Sequence, residues 1–268
     1  MAKHELTTHE LYLKKIKRNR ISVIFWRIVG LLALLGIWEL ASYKGWIDSF
    51  IFSSPSGIVK CFISMLTTQD LLTHTWITLR ETFISFSLTI IIGLFVAVIL
   101  WRFKMLADIF EPYIVVLNSL PKSALAPLML VWLGANQKTI IISGMSVGIF
   151  GAILSLYTGF LKVDTEQVKL IETLGGKKKD VLAKVMIPST LPILINVMKV
   201  SIGLNLVGVV IGEFFAANSG LGYLIIYGSQ VFKLDMVVMS IMILCLLTIL
   251  FYQAIHMLEK SVSKIFMM

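Results

Sequence analysis

Two lysines stand inside stretches that otherwise carry no charge. Lys122 lies in the apolar run from Pro112 to Gly134, and Lys199 in the run from Thr190 to Gly212. A charged side chain at mid-bilayer costs about 2.5–3.5 kcal/mol on insertion scales, so it belongs beside a cavity or a partner. Asn196, Lys199 and Gly203 share one helix face by i, i+3, i+7 spacing. That face suits a path for an anionic or carbonyl-bearing solute. The plainer alternative is a lysine neutralised by backbone carbonyls or a buried partner. Asn118 and Lys122 stand four apart beside Pro121 and Pro127. Backbone groups freed there must be buried in protein or meet water, so a path lining and a structural kink are both open. Glu213 closes the Thr190 run and Asn218 follows it. They are candidates for an outer gate if the apolar stretch Leu221 to Phe232 folds back over the mouth. Otherwise Glu213 is a solvated end residue.

Other chemistries find no support. The opening His4-Glu-Leu-Thr-Thr-His9 spaces its histidines five apart, whereas a zinc-binding helix needs them four apart. We expect neither a metal site nor catalytic residues. His74 and His256 are isolated, and no His, Asp, Glu and Ser gather at one depth as a membrane enzyme would need. Cys61 and Cys245 are too few for a disulfide framework. Gly176-Lys177 is followed by Lys178 rather than Ser or Thr, so the chain holds no phosphate-binding loop and cannot itself hydrolyse ATP.

The elements that position these residues follow from composition. Of 268 residues, 57% are hydrophobic and only 15% charged. The mean hydropathy is +0.90. Soluble domains carry nearer a quarter charged residues, so a soluble enzyme, a disordered regulator and a disulfide scaffold are excluded. The net charge of +9 reads as the Lys/Arg excess of inner loops rather than a nucleic-acid footprint. A spanning helix needs about 20 apolar residues. Six runs qualify: 21–43, 82–101, 112–134, 139–161, 190–212 and 236–258. The first carries Arg27 and Glu39 near its ends, and Trp26, Trp38 and Trp46 suit interfacial belts. It is not a cleaved signal peptide, because its basic leader is long and no small-residue cleavage site follows. With both termini inside, the outer loops hold only Lys44, Lys60, Arg80, Lys138 and Lys233, and the remaining loop cations fall inside. The expected fold is therefore an all-α integral membrane protein with about six spans, in the cell membrane of a prokaryote, with both termini cytoplasmic.

Between the fourth and fifth spans, residues 162–188 are too patterned for a slack loop. Asp164 to Gln167 has the form of a capping box. Leu170, Ile171 and Leu174 make an apolar stripe, and Gly175-Gly176 stops the helix. A second amphipathic helix follows with Val181, Leu182, Val185 and Met186 on one face, and Pro188 and Pro192 mark the next span. Such a pair can lie on lipid or dock a cytoplasmic partner. Gly144/Gly148 and Gly208/Gly212 are GxxxG patterns, which mostly pack one helix on another within a bundle.

The stretch from Val163-Asp164-Thr165-Glu166 through Leu174-Gly175 to Ile187-Pro188-Ser189-Thr190-Leu191-Pro192 resembles the cytoplasmic loop of ABC importer permeases. Gly175 and the prolines match that loop's pattern. Its Glu-Ala-Ala positions fall on Lys169, Leu170 and Ile171, which depart from it. Phe52-Ser53-Ser54-Pro55-Ser56, Leu120-Pro121-Lys122 through Trp132-Leu133-Gly134, Gly212-Glu213-Phe214 and Asn218-Ser219-Gly220-Leu221-Gly222-Tyr223 resemble elements of one branch. That branch comprises the nitrate, taurine, aliphatic sulfonate and bicarbonate permeases. The resemblance covers roughly residues 50–260. It implies a basic cytoplasmic N-terminus (1–20), a first span with an extracytoplasmic connector (21–72), a permease core (73–260) and a cytoplasmic tail (261–268). It also implies partners: an ATPase in two copies that binds ATP-Mg, an extracytoplasmic solute-binding protein, and a second permease copy. Residues Glu166, Lys169, Leu170, Ile171, Leu174, Gly175 and Gly176 would couple to the ATPase. The solute would be a small anion such as a sulfonate, nitrate or carboxylate, or a heterocyclic vitamin precursor. An ion-gradient-driven secondary transporter is the competing class. Such proteins often carry inverted repeats or mid-span carboxylates, and neither is evident here.

Overall fold

The computed structural model describes residues 8–67 and 70–266, so Lys3 and His4 of the basic leader lie outside the described residues. All of the regular structure described is helical. The chain runs α1 (Thr8–Tyr43), α2 (Ser49–Phe52), α3 (Pro55–Thr67), α4 (Asp70–Arg102), α5 (Lys104–Ser119), α6 (Lys122–Leu133) and α7 (Gln137–Leu161). It continues through α8 (Thr165–Thr173), α9 (Lys178–Val181), a π-helical turn (Leu182–Met186), α10 (Ile187–Ala216), α11 (Leu221–Gln230) and α12 (Leu234–Phe266). Among the described residues, five helices are long and apolar enough to cross a membrane, and α5 and α6 reach that length only as a pair bent by 97°.

The core is the three-helix stack α4–α7–α10, and small residues make it possible. An added Cβ on Gly208 would lie 2.8 Å from Gly144 Cα and Ser143 O, and one on Gly212 would lie 2.9 Å from Ile140 Cα. The two GxxxG patterns thus pack α7 on α10 within one chain, replacing side chains by close backbone approach. Ser143 Oγ donates to Gly208 O at 2.9 Å across the same seam. Buried Asn205 on α10 accepts from Ser85 (2.8 Å) and Thr89 (2.9 Å) of α4 and donates to Ser201 O. These hydrogen bonds satisfy polar groups that no water would reach in an apolar interior.

Two expectations about helix boundaries change. The Pro112–Gly134 run is no single rod. It breaks at Leu120-Pro121, where Pro121 precedes the first residue of α6 and cannot continue the backbone ladder of α5. Pro188, by contrast, stands in the first turn of α10 as expected and Pro192 lies inside that helix, but no break in the helical path precedes them. Lys178 to Ala216 is one helical path of 39 residues. The π turn makes this possible: Ile187 N–H reaches back to Leu182 O, so the ladder shifts register immediately before Pro188, which lacks a donor.

At the other edge of the bundle, α1 packs mainly on α3, and its spanning window has no buried residue. Glu39 accepts a hydrogen bond from Ser56 N at 3.1 Å, which sets a carboxylate at the N-terminus of α3. The Ser-Ser-Pro-Ser-Gly stretch is a helix start: Ser54 Oγ accepts from Gly57 N, and Pro55 occupies the first helical position.

Candidate functional site

The segment between α7 and α10 forms a platform and a knob. Asp164 caps α8, its Oδ1 accepting from Glu166 N at 2.9 Å. This single bond replaces the reciprocal box with Gln167 that the spacing suggested. The helix ends in paired bonds, Gly175 N to Glu172 O and Gly176 N to Ile171 O. Gly175 takes φ +82°, and a Cβ on Gly176 would lie 2.5 Å from Ile171 Cγ2, so both glycines are required by this turn. Asp180 then caps α9 by accepting from Lys177 N at 2.8 Å.

The stripe of Leu170, Ile171 and Leu174 divides. Ile171, with Val168, packs on a core that includes Leu156, Phe160, Val181 and Met186. Leu170 (60% exposed) and Leu174 (75% exposed) point the other way. Glu166 and Lys169 are exposed beside them. The second helix behaves as its pattern requires: Val181, Val185 and Met186 are buried, and Leu182 packs on the same core. A cleft of about 200 Å³ opens between this platform and the end of α4, lined by Trp101, Arg102, Val168, Glu172 and Lys178.

At the opposite end of α10 lies a buried polar knot. Glu213 is 1% exposed, which corrects the solvated-end alternative. Its Oε1 accepts from Thr78 Oγ1 at 2.6 Å and its Oε2 from Gly222 N at 2.5 Å. Leu221 N donates to Thr78 Oγ1 (2.8 Å), and Gly220 N to His74 Nδ1 (2.9 Å). Three successive N–H groups at the start of α11 are thus held by α4 and α10, which supply the partners a helix start lacks. The glycines admit the carboxylate: a Cβ on Gly220 or Gly222 would lie 2.5 or 2.7 Å from Glu213 atoms, and Gly220 has φ +117°. His74 stacks on Tyr223 and Tyr223 on Tyr227, closing the outside of the knot. Asn218 stays exposed in the preceding turn.

Sequence reasoning missed Glu81, which precedes the apolar run 82–101 by one residue. Helix α4 begins at Asp70, so Glu81 is 2% exposed, beside the Glu213 carboxyl and within reach of Gln137. The unbroken helical run from Asp70, and the spacing of Thr78, Glu81 and Ser85 toward the polar core, were its signal.

The residues proposed for a path do not all converge. Asn196 lines a groove of about 160 Å³ between α7 and α10, with Gly148, Gly151, Ser155, Val200 and Leu204. Asn118 Oδ1 abuts Gly151 at that groove's edge. Lys122 is not on the same helix as Asn118. Its ammonium donates back to Leu117 O and lies over the Phe150 ring at 5.0 Å. Gly203 faces open space. Lys199 turns away from Asn196 toward α12, where it meets Glu259 Oε2 at 2.6 Å and lies over Tyr252. His256 shares that carboxylate at 2.8 Å. This ion pair gives Lys199 a carboxylate partner, but Glu259 is itself 36% exposed and so is not the buried partner that the sequence left open.

Small-residue packing of three spans, a bent helix pair, and a platform projecting from between two spans define a polytopic membrane protein. Residues 89–264 match the family of binding-protein-dependent transport system inner membrane components, and the chain belongs to that family. It is similar to a probable ABC transporter permease of Haemophilus influenzae (27% identity, covering 86% of this chain and 93% of that one). It is also similar to the formylaminopyrimidine transport permease ThiX of Halalkalibacterium halodurans (28%; 85% and 91%). The putative aliphatic sulfonates transport permease SsuC of Escherichia coli is 26% identical (91% and 92%). Among solved structures, a chain of the MetNI methionine ABC transporter superposes with a TM-score of 0.64 at 20% identity, covering 73% of this chain and 97% of that one. The protein is thus a multi-pass membrane component of an ABC importer.

Proposed function

We propose that two copies of this chain form the membrane path of an importer driven by two copies of an ATPase that binds ATP-Mg. An extracytoplasmic binding protein delivers the solute. The loop charges support cytoplasmic termini and, with them, α8 and α9 on the ATPase side. The observation that carries this reading is the exposure of Leu170 and Leu174 on a helix whose other apolar residues, Val168 and Ile171, are anchored to the core. An apolar knob on a rigid mount suits a groove in a partner. Glu166 and Lys169 flank it, while Ile171, Gly175 and Gly176 set its angle. Asn118, Lys122, Asn196 and Gly203 face the path, and the Lys199–Glu259 pair holds α10 to α12 behind it. Glu213 and Asn218 belong to the outer gate. The solute is a small anion such as a sulfonate, nitrate or carboxylate, or a heterocyclic vitamin precursor. The sulfonate and formylaminopyrimidine permeases among its relatives support both classes.

The test is ATP hydrolysis by the assembled transporter in lipid, with and without the binding protein. Leu170→Asp with Leu174→Asp is expected to abolish the stimulation and leave the melting temperature of the permease unchanged, because both side chains are exposed. Solute flux that follows an imposed ion gradient, with no ATPase recruited, would overturn the proposal.

A further inference from the structure

A cavity of about 520 Å³ lies between the α2–α3 arm and the turn joining α11 to α12. Lys60, Cys61, Lys233 and Met236 line it, and the stacked rings of Phe50 and Phe232 close one side. The only carboxylate in its wall, Asp235, is turned toward the arm: it accepts from buried Ser53 Oγ at 2.6 Å and abuts Gly57. Neither lysine has an ion-pair partner among the described residues.

The surroundings identify what such a cavity meets. Helix α3 has two apolar faces. Ile58, Cys61 and Met65 pack inward on Leu221, Leu224 and Met239. Val59, Phe62, Ile63 and Leu66 are exposed on the outward face at i, i+3, i+4, i+7 spacing. An apolar outward face on a chain of this hydropathy sits in lipid, at the level where a short amphipathic helix meets headgroups. Two unpaired ammonium groups at that level, over an aromatic wall, match one chemistry: an oxyanion carrying a hydrocarbon tail.

We propose that this cavity binds the headgroup of an anionic phospholipid, with Lys60 and Lys233 holding the phosphate and Phe50, Phe232 and Met236 covering the start of the acyl chains. The site braces α3 against the start of α12. It rests on the placement of the chain in a membrane and not on the direction or driving force of transport.

Cys61 reports occupancy. Burial pushes its thiol above the ordinary value, and Asp235 adds to the rise, so alkylation is followed at alkaline pH. The full chain carrying Cys245→Ser is placed in nanodiscs of phosphatidylcholine, with or without phosphatidylglycerol, and treated with an uncharged maleimide. Phosphatidylglycerol is expected to slow alkylation about fivefold, the effect of one lysine at a charged surface. Lys60→Gln with Lys233→Gln is expected to lose that slowing. Comparing the two proteins in the same discs removes the general surface effect. Equal rates in the two lipids, or equal slowing in the double variant, would overturn the proposal. Slowing by inorganic phosphate in phosphatidylcholine discs would overturn the lipid assignment in favour of a free anion.

Discussion

A carboxylate that looks terminal in the sequence is the most enclosed acid among the described residues. Glu213 is held by Thr78 and Gly222, and the glycines around it exist to let it approach. Gly220→Ala should therefore lower the melting temperature in detergent, with a cost of about 1–3 kcal/mol from overpacking alone. Gly203→Ala, where a Cβ meets nothing, should raise it slightly, because glycine costs about 0.5–1 kcal/mol in a helix interior. Equal effects at the two positions would mean that the knot is looser than described. Individual residues were partly legible before the fold was known. The i, i+3 spacing joined Asn196 to Lys199, but a spacing rule cannot see that Glu259 waits on a helix 60 residues away. Glu81 was missed because an apolar window begins where charge ends, whereas a helix begins where its backbone ladder does.

Elements were more legible than their joints. All six apolar runs are helical but for the break at Leu120-Pro121, because length and composition alone demand it in lipid. The amphipathic pair was readable from its stripe and its glycines. Which leucines face out was not, since a helix this short presents apolar residues on two sides and only the neighbouring core decides. Pro188 does stand in the first turn of α10, but the unbroken join to the platform was not legible, because a π turn has no strong sequence signature. The GxxxG pairs do face one another, and this makes a sharp prediction. Gly208→Ala would drive a Cβ into the Gly144 Cα and Ser143 O of α7, and backbone cannot swing aside. Its melting temperature in detergent should fall further than that of Gly151→Ala, whose nearest neighbour is the amide of Asn118. A Gly208→Ala protein as stable as wild type would show that α7 and α10 are further apart than here.

At the scale of the whole molecule, the bundle divides into a tightly bonded centre and a helix beside it. Helix α1 rests on α3 and the Glu39–Ser56 bond, and the family match begins only at residue 89. Cutting the backbone at a protease site placed at Gly45, an exposed turn with open space around it, should leave the melting temperature of the remainder within a few degrees of the intact chain. A larger fall would make α1 part of the core. The centre behaves differently, because α10 is bonded at both ends. Its helical path starts beside the α8 platform and finishes at Glu213 without a flexible joint. Each residue in a helix advances the azimuth by about 100°. Adding or removing one residue within that path would swing Glu213 out of reach of Thr78 and Gly222 while leaving composition and hydrophobicity untouched. Natural variation in length should thus be barred from this shaft and confined to the turns around it, so that its residue count works as a fixed gauge between the two faces of the membrane.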